Sequence, residues 1–270
     1  MSARPRVDVR RSRQGLELRV DGTLASLHRS GPTLTGAVWW ALAAPVTLLP
    51  PDRPARVLVL GLGGGSVARA LRALRPDARI VGVERDPQVL RAARRHFGLD
   101  GLGVELLAVD ARQYLASETR RFDLVVEDLF VGPARAVRKP EWLLPEGYPR
   151  IGRRLRSGGI VSTNTIHETP AVVEAMGAFG GRLVSLEVRD HWNRILLCGR
   201  GLPPPRELRR RLERHPGLAR VMGRLAVRAP RFRRSRSPAL VAGAANARRD
   251  GGPPDDERPE LGTERRRASS

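Results

Sequence analysis

A glycine-rich turn between an apolar run and a helical segment constrains the fold of this chain more than any other feature. Residues 57–71 read VLVLGLGGGSVARAL. The glycines of the turn are Gly61, Gly63, Gly64 and Gly65. Residues without a side chain let the backbone approach a ligand, and the helix that follows offers its first N–H groups to polar ligand atoms. The turn therefore predicts a nucleotide-like ligand, although Ser66 stands where the GxGxxG dinucleotide motif has its last glycine.

The central region alternates short apolar runs with amphipathic segments. This pattern is typical of βαβ units in an α/β protein with a mostly parallel sheet. Seven strands are predicted, at residues 56–61, 78–84, 104–110, 122–128, 158–164, 182–188 and 193–199. Helices are predicted at residues 66–74, 87–96, 111–117, 142–155 and 170–179. Because no helix separates the last two strands, we expect an antiparallel pair at one edge of the sheet.

The flanking segments differ from this central pattern. Three short alternating strands, with Asp21-Gly22 as a hairpin turn, precede a helical stretch over residues 34–49. Helices are predicted at residues 206–214 and 218–227, and the Arg-, Pro- and Gly-rich end lacks periodicity and is expected to be disordered. The predicted divisions are a hairpin unit with a capping helix (1–50), a nucleotide-binding domain (51–200), C-terminal helices (201–228) and a disordered basic tail (229–270).

Composition and charge exclude several classes of protein. A lone Cys198 excludes an internal disulfide, and no Cys/His cluster has the spacing of a zinc site, so no metal is expected. The basic N-terminus leads into no apolar signal core, and the longest apolar stretch, residues 37–49, is too short to span a membrane, which favours a cytoplasmic protein. The net charge of +21 permits a nucleic-acid partner, but nearly all of it is arginine, and residues 201–270 hold 18 arginines against eight acidic residues.

Acidic residues stand at the ends of the second and third predicted strands. Glu84 follows the glycines by about twenty residues, where a carboxylate can accept hydrogen bonds from both ribose hydroxyls. Asp86 is the better cap for the next helix. Asp110 and the Ala111 backbone are expected to bind an adenine amino group, and the alternative is that Asp110 only caps a helix. Because the carboxyl ends of parallel strands meet at one edge, these groups and the glycine turn are expected to share a crevice.

The fourth predicted strand ends in Glu127 and Asp128. Asp128 is expected to face the crevice, where a carboxylate can stabilise a cationic group, orient an amine or accept a proton from a nucleophile. The alternative is a loop acid without a partner. Glu127 is interpreted as such an acid, or as facing the neighbouring helix.

Together these residues resemble the spermidine synthase family, from the N-terminal strands to about residue 227. The resemblance implies a small β unit before a Rossmann-like, seven-stranded S-adenosylmethionine-binding sheet. It also implies that residues 61–65, Glu84 and Asp110-Ala111 hold the nucleoside of decarboxylated S-adenosylmethionine or S-adenosylmethionine, used as co-substrate. Asp128 matches the family's catalytic aspartate, which deprotonates or orients an amine acceptor.

The chain departs from this family around the acceptor. Asp128 matches the first residue of the family's D-S-S-D-P segment, but residues 129–131 are Leu-Phe-Val, so the second carboxylate is lost. Ala25 stands near the place of a substrate-contacting Gln, and residues 31–48 contain no Tyr, His or Glu. The polyamine pocket is therefore expected to lack most of its polar contacts.

Several nearby residues have a structural and a functional interpretation. Arg135, Arg138 and Lys139 would repel a dicationic diamine if they faced the site, and the alternative is that the arginines point to solvent. Adjacent tryptophans, Trp39 and Trp40, are candidates for lining the acceptor pocket, and packing is the preferred interpretation. Residues 191–193 are interpreted as a structural turn.

The leading hypothesis is a transferase that moves an aminopropyl group to an amine. A methyltransferase on the same fold is the main alternative, because an intact donor balances its own charges. A non-catalytic, nucleic-acid-associated scaffold stays open through the basic tail, and a nicotinamide oxidoreductase is disfavoured by Ser66. A homo-oligomer is expected from the family's habit.

Overall fold

The computed structural model describes residues 5–29, 34 and 37–230, so the tail predicted beyond residue 230 lies outside the described residues. Its first sheet consists of three antiparallel strands. The strands are β1 (Val7–Ser12), β2 (Gly15–Val20) and β3 (Thr23–His28). Asp21 and Gly22 have positive φ values of 49° and 80°, as a tight hairpin turn requires. This confirms the turn predicted from the Asp-Gly pair.

A short, completely buried helix follows this sheet. Helix α1 (Trp39–Ala43) continues into a 3-10 turn over Ala44–Leu48. Pro45, which has no N–H group to donate to the preceding turn, lies at the start of the 3-10 turn and interrupts the helical stretch predicted over residues 34–49. This pair of elements places Trp39 beside the carboxyl edge of the main sheet.

The main sheet has eight strands in the order β11-β9-β10-β8-β7-β4-β5-β6. Strands β4 to β8 are parallel, whereas β9, β10 and β11 join through antiparallel pairs. The bounds are β4 (Arg56–Leu60), β5 (Arg79–Val83), β6 (Val104–Leu107), β7 (Phe122–Glu127), β8 (Leu155–Thr165), β9 (Arg182–Val188), β10 (Arg194–Gly199) and β11 (Leu225–Arg228).

Helices cover both faces of this sheet. They are α2 (Ser66–Leu74), α3 (Pro87–Phe97), α4 (Ala111–Ser117), α5 (Gly147–Arg153), α6 (Thr169–Gly177), α7 (Pro205–Glu213) and α8 (Pro216–Ala219). Alternate residues of β4 enter different apolar clusters, with Val57 and Val59 in one and Leu58 and Leu60 in the other. Burial on both faces explains why the parallel strands are continuous apolar runs.

The eighth strand corrects the sequence-based prediction of seven. A second short helix was expected over residues 218–227. The helix ends at Ala219, and β11 pairs with β9 instead. The open edge of β9 offers backbone hydrogen-bond partners, and Gly223 lowers the helical preference of this segment.

The helix predicted at residues 142–155 is also shorter than expected. It is replaced by a 3-10 turn over Glu141–Leu143 and by α5, and Leu155 already belongs to β8. Pro145 interrupts the segment, since proline disfavours helical geometry in the residue before it. No helix among the described residues is long and apolar enough to cross a membrane.

Candidate active site

A cavity of about 400 Å³ lies at the carboxyl ends of β4, β5, β6 and β7. Its lining includes the glycine turn, the residues after each of these strands, and residues of the N-terminal sheet and α1. In parallel α/β sheets this edge is where ligands bind. Within the described residues, no cluster of three or more His, Cys, Asp or Glu side chains is arranged to hold a metal ion.

Two of the four predicted glycines line the cavity. Gly61 and Gly63 do so, with left-handed φ values of 82° and 53°. A Cβ atom at Gly61 would lie 2.7 Å from the backbone oxygen of Asp128, and one at Gly63 would lie 3.1 Å from that of Ala25. Glycine is therefore needed where two other segments approach the turn closely. Gly64 and Gly65 are not part of the cavity lining and pack against Ser26 and against leucines near α3, respectively.

The N-terminal sheet is attached to this turn by hydrogen bonds. The N–H of Gly64 donates to Oγ of Ser26 at 2.7 Å. The Ser66 hydroxyl accepts from the N–H of Leu27 at 3.0 Å and donates to its carbonyl oxygen at 3.1 Å. Ser66, which breaks the dinucleotide motif, therefore joins β3 to the start of α2. The N–H of Gly64 is used inside the protein, so the turn offers a ligand close approach rather than this donor.

Glu84 lies directly after β5 and lines the cavity. Its Oε2 accepts from the N–H of Gly63 at 3.0 Å, and its Oε1 accepts from the N–H of Asp86 at 3.1 Å. Burial raises the pKa of Glu84, and the two backbone hydrogen bonds oppose that rise. Each carboxylate oxygen has a second lone pair, so the fixed side chain can still accept hydrogen bonds from two neighbouring hydroxyl groups.

Two aspartates at strand ends cap helices. Asp86 accepts from the N–H of Gln88 at 2.7 Å, which confirms its predicted role as the cap of α3. Asp110 caps α4 through Oδ1, which accepts from the N–H of Arg112 at 2.8 Å. Asp110 and Ala111 also line the cavity, so capping and ligand contact are compatible for Asp110.

Asp128 is held by two side-chain donors on the cavity wall. Its Oδ2 accepts from the indole N–H of Trp39 at 3.1 Å, and its Oδ1 accepts from the Nδ2 group of Asn164 at 2.8 Å. The Oδ1 atom of Asn164 accepts in turn from Nδ2 of Asn193 at 2.9 Å. Three other segments of the chain, whose contacting residues all line the cavity, thus fix this carboxylate directly or through Asn164.

Burial raises the pKa of Asp128 to about 6. The hydrogen bonds from Asn164 and Trp39 and the charge of Lys139 lower it, and the neighbouring Glu127 raises it further. A carboxylate with a pKa near the working pH can be ionised and yet basic enough to accept a proton. The arrangement is therefore suited to accepting a proton from a nucleophile or to orienting an amine by hydrogen bonding.

Glu127, one residue earlier, is not part of the cavity lining and is held inside the protein. It is buried, and both carboxylate oxygens accept from Nζ of Lys139, at 2.8 and 2.9 Å. The hydroxyl of Tyr148 on α5 donates to it at 2.9 Å, and Thr163 also donates. Glu127 therefore faces the neighbouring helix, which is one of its two predicted positions, and its charge is compensated inside the protein.

The basic residues of the following loop do not place free charge in the cavity. Lys139 is buried, pairs with Glu127, and lies 4.1 Å from the centre of the Phe130 ring. Arg135 and Arg138 are exposed, which confirms the solvent-facing alternative for the arginines. Beyond Asp128 the cavity wall is mostly apolar. Its apolar residues there are Leu129, Phe130, Val131, Val137, Trp142 and Ile166.

Sequence reasoning missed three partners of this site. Trp39 was interpreted as packing, and residues 191–193 as a turn, yet Trp39 contacts Asp128 and Asn193 contacts Asn164. Asn164 could have been predicted as a site residue, because it stands at the carboxyl end of the fifth predicted strand. Trp39 and Asn193 lie in segments that only the tertiary fold brings to the sheet edge.

Known proteins resemble this chain in sequence and in fold. A methyltransferase domain family matches residues 57–159. The polyamine aminopropyltransferase of Chromobacterium violaceum is 27% identical over 205 residues, which cover 70% of this chain and 77% of that protein.

Two solved structures share the fold at 18% identity. The crystal structure of a probable spermidine synthase from Corynebacterium glutamicum superimposes with a TM-score of 0.63, covering 87% of this chain and 96% of that one. A spermidine synthase in complex with the transition-state analogue AdoDATO gives a TM-score of 0.59, covering 80% and 76%. The chain is similar in sequence to polyamine aminopropyltransferases, shares the fold of the two spermidine synthase structures and matches a methyltransferase domain family over residues 57–159, and these likenesses together indicate a transferase.

Proposed function

We propose that this chain transfers an aminopropyl group from decarboxylated S-adenosylmethionine to an amine, with Asp128 as the base. The observation that carries the proposal is the position of Asp128. It lines the same cavity as Glu84 and the glycine turn, is oriented by Trp39 and Asn164, and has a pKa raised to about 6.

The donor end of the cavity supports a nucleoside ligand. We assign the ribose hydroxyls to the carboxylate of Glu84, which two backbone N–H groups already hold in place. We assign the adenine amino group to Asp110, with Ala111 beside it. Gly61 and Gly63 leave room for the rest of the donor. Gly64 and Gly65 have the indirect role of shaping the turn.

The proposed reaction is a single displacement. The nitrogen lone pair of the neutral acceptor attacks the aminopropyl carbon bonded to the sulfonium sulfur. The carbon–sulfur bond breaks, its electron pair stays on sulfur, and neutral methylthioadenosine leaves. The proton lost by the acceptor nitrogen passes to Asp128. Alignment of acceptor and donor supplies much of the rate, because the leaving group is already activated by its charge.

Methyl transfer from S-adenosylmethionine is a second candidate. Residues 129–131 put no carboxylate beside Asp128 to compensate the free ammonium of a decarboxylated donor, whereas the intact donor carries its own carboxylate. The match of residues 57–159 to a methyltransferase domain is compatible with this alternative. The two reactions differ in the group that leaves sulfur, so donor preference separates them.

Calorimetric titration with decarboxylated S-adenosylmethionine, S-adenosylmethionine and methylthioadenosine tests the proposal. Aminopropyl transfer predicts tighter binding of the decarboxylated donor than of the intact one. Preference for the intact donor would favour methyl transfer. Binding of none of the three would contradict the nucleoside site altogether. The exposed Glu174, changed to Gln, is a matched control that should leave all three affinities unchanged.

A further inference from the structure

The part of the cavity beyond Asp128 has a wall that is unusual for a site meant to hold a polycation. We call it the acceptor compartment and define it by Leu129, Phe130, Val131, Val137, Trp142 and Ile166. We propose that this compartment takes an acceptor with one amine and an apolar body, in preference to a diamine. The inference rests on the proposed function, because it names the substrate class of the same site.

The carboxylates that line the cavity lie elsewhere or are already engaged. Glu84, Asp86 and Asp110 stand at the donor end and accept backbone N–H groups. Asp21 is exposed at the hairpin turn, where it accepts from the N–H of Arg6 at 2.8 Å and is accessible to solvent. Among the residues described, Asp128 is thus the carboxylate placed to compensate a buried ammonium beside the acceptor compartment.

The nearest buried charges, those of Lys139 and Glu127, do not offer a second ammonium a counter-ion. Lys139 and Glu127 form a pair beneath residues 129–131 and largely cancel each other's field. The remaining polar groups toward this end include Asn164 and Asn193, which are neutral and bonded to each other. A second ammonium in the acceptor compartment would lose its water without gaining a counter-ion, which is unfavourable. A methyl group at the same place would gain apolar contacts.

The matched probes are pentylamine and putrescine. The two molecules have the same chain length in heavy atoms and differ only in a distal methyl or ammonium group. Their affinities are measured calorimetrically, both with free protein and with protein saturated by methylthioadenosine. We expect pentylamine to bind at least 10-fold more tightly than putrescine in each case.

Val131→Asp sharpens this comparison, with Val131→Asn as its neutral, nearly isosteric control. The backbone of Val131 pairs with that of Arg138, and a side-chain change leaves that pairing intact. The Asp variant is expected to raise the affinity for putrescine relative to pentylamine by about 10-fold, and the Asn variant is not. If the Asp variant fails to fold, Val137→Asp replaces it, at the cavity-lining residue next to the bridge partner Arg138.

Absence of pentylamine binding, or putrescine binding as tight as that of pentylamine, would overturn the inference. Asp21→Asn, which an αL turn position tolerates, shows whether that acid attracts the diamine. Unchanged putrescine affinity supports the inference, and a loss of tight putrescine binding overturns it. Failure of methylthioadenosine to bind would contradict the proposed function, while the amine comparison on free protein would still be readable.

Discussion

The two ends of the cavity differ in how closely their residues fit the proposed aminopropyl transfer. At the donor end, a glycine turn, Glu84 and Asp110 follow successive strands of one sheet, and backbone N–H groups fix both carboxylates. At the acceptor end, Asp128 stands before an apolar wall and takes its hydrogen bonds from Trp39 and Asn164. In the proposed function, donor recognition therefore rests on residues that follow the parallel strands directly, whereas acceptor recognition rests on loops and on segments distant in sequence.

The largest effect is expected at Asp128. Asp128→Asn keeps the shape but removes the proposed base, so kcat should fall by about 1000-fold, within the usual range for general bases. The affinity for the donor nucleoside should change by less than about 3-fold, since ribose and adenine are assigned to the other end. Steady-state kinetics and calorimetry measure the two quantities. Equal losses in both would contradict the separation of the two ends.

Lys139→Met tests whether the buried ion pair of Lys139 and Glu127 stabilises the protein beside the acceptor compartment. This change leaves Glu127 as a buried charge without its cation, and breaking such a pair costs about 3–5 kcal/mol. Urea unfolding should show this loss, and the double variant Glu127→Gln/Lys139→Met should recover at least half of it. Arg94→Met, in the exposed pair with Asp100, is the control and should cost less than about 1 kcal/mol. No difference between the two single variants would refute a supporting role for the buried pair.

At the donor end, Glu84→Gln should weaken nucleoside binding by about 10- to 100-fold, because hydrogen bonds to a charged group contribute about 1.5–3 kcal/mol. The ratio of pentylamine to putrescine affinity should stay within about 2-fold of the parent, as the acceptor compartment is unchanged. Calorimetry reads both values on the same protein. A changed amine ratio would show that the two ends are coupled.

A smaller effect, on pH dependence, is expected from Trp39→Phe. Protonation of Asp128 below about pH 6 removes the base, and the acceptor amine must also lose a proton because its pKa is near 10. The slope of log(kcat/KM) against pH should therefore fall from two to one as pH rises through about 6, and Asp128→Asn should show a slope of one throughout.

Loss of the indole donor destabilises the ionised form of Asp128, so Trp39→Phe should move this break to higher pH. It should also lower kcat about 3- to 10-fold, the effect of one lost hydrogen bond. Trp40→Phe, on a neighbouring buried side chain that does not line the cavity, is the control. An unmoved break would show that Trp39 packs against Asp128 without tuning its proton affinity.

The residues of the proposed donor end were predictable from the sequence, because each of them follows a strand closely along the chain. The apolar runs of β4, β5 and β6 are each followed directly by the glycine turn, Glu84 and Asp110, so order along the chain predicts proximity in space. The Asp21-Gly22 turn and the cap at Asp86 were predictable for the same reason, since each depends on the residue itself.

The parts that escaped prediction depend on long-range pairing. Strand β11 pairs with the open edge of β9, and the sequence of residues 225–228 alone does not indicate that pairing. The hydrogen bonds of Ser26 and Ser66 join β3 to the glycine turn, about forty residues away in sequence. The hydrogen bond from Trp39 to Asp128 spans more than twice that separation. The burial of Lys139 was likewise invisible, because a lysine in a loop is ordinarily solvated.

Product analysis tests the central claim most directly. The protein is incubated with pentylamine and either decarboxylated S-adenosylmethionine or S-adenosylmethionine, and the products are identified by mass spectrometry. Aminopropyl transfer predicts methylthioadenosine and aminopropylated pentylamine in equal amounts from the decarboxylated donor, with both formed about 1000-fold more slowly by Asp128→Asn. Methylated amine and S-adenosylhomocysteine from the intact donor, with no methylthioadenosine from the decarboxylated one, would contradict it.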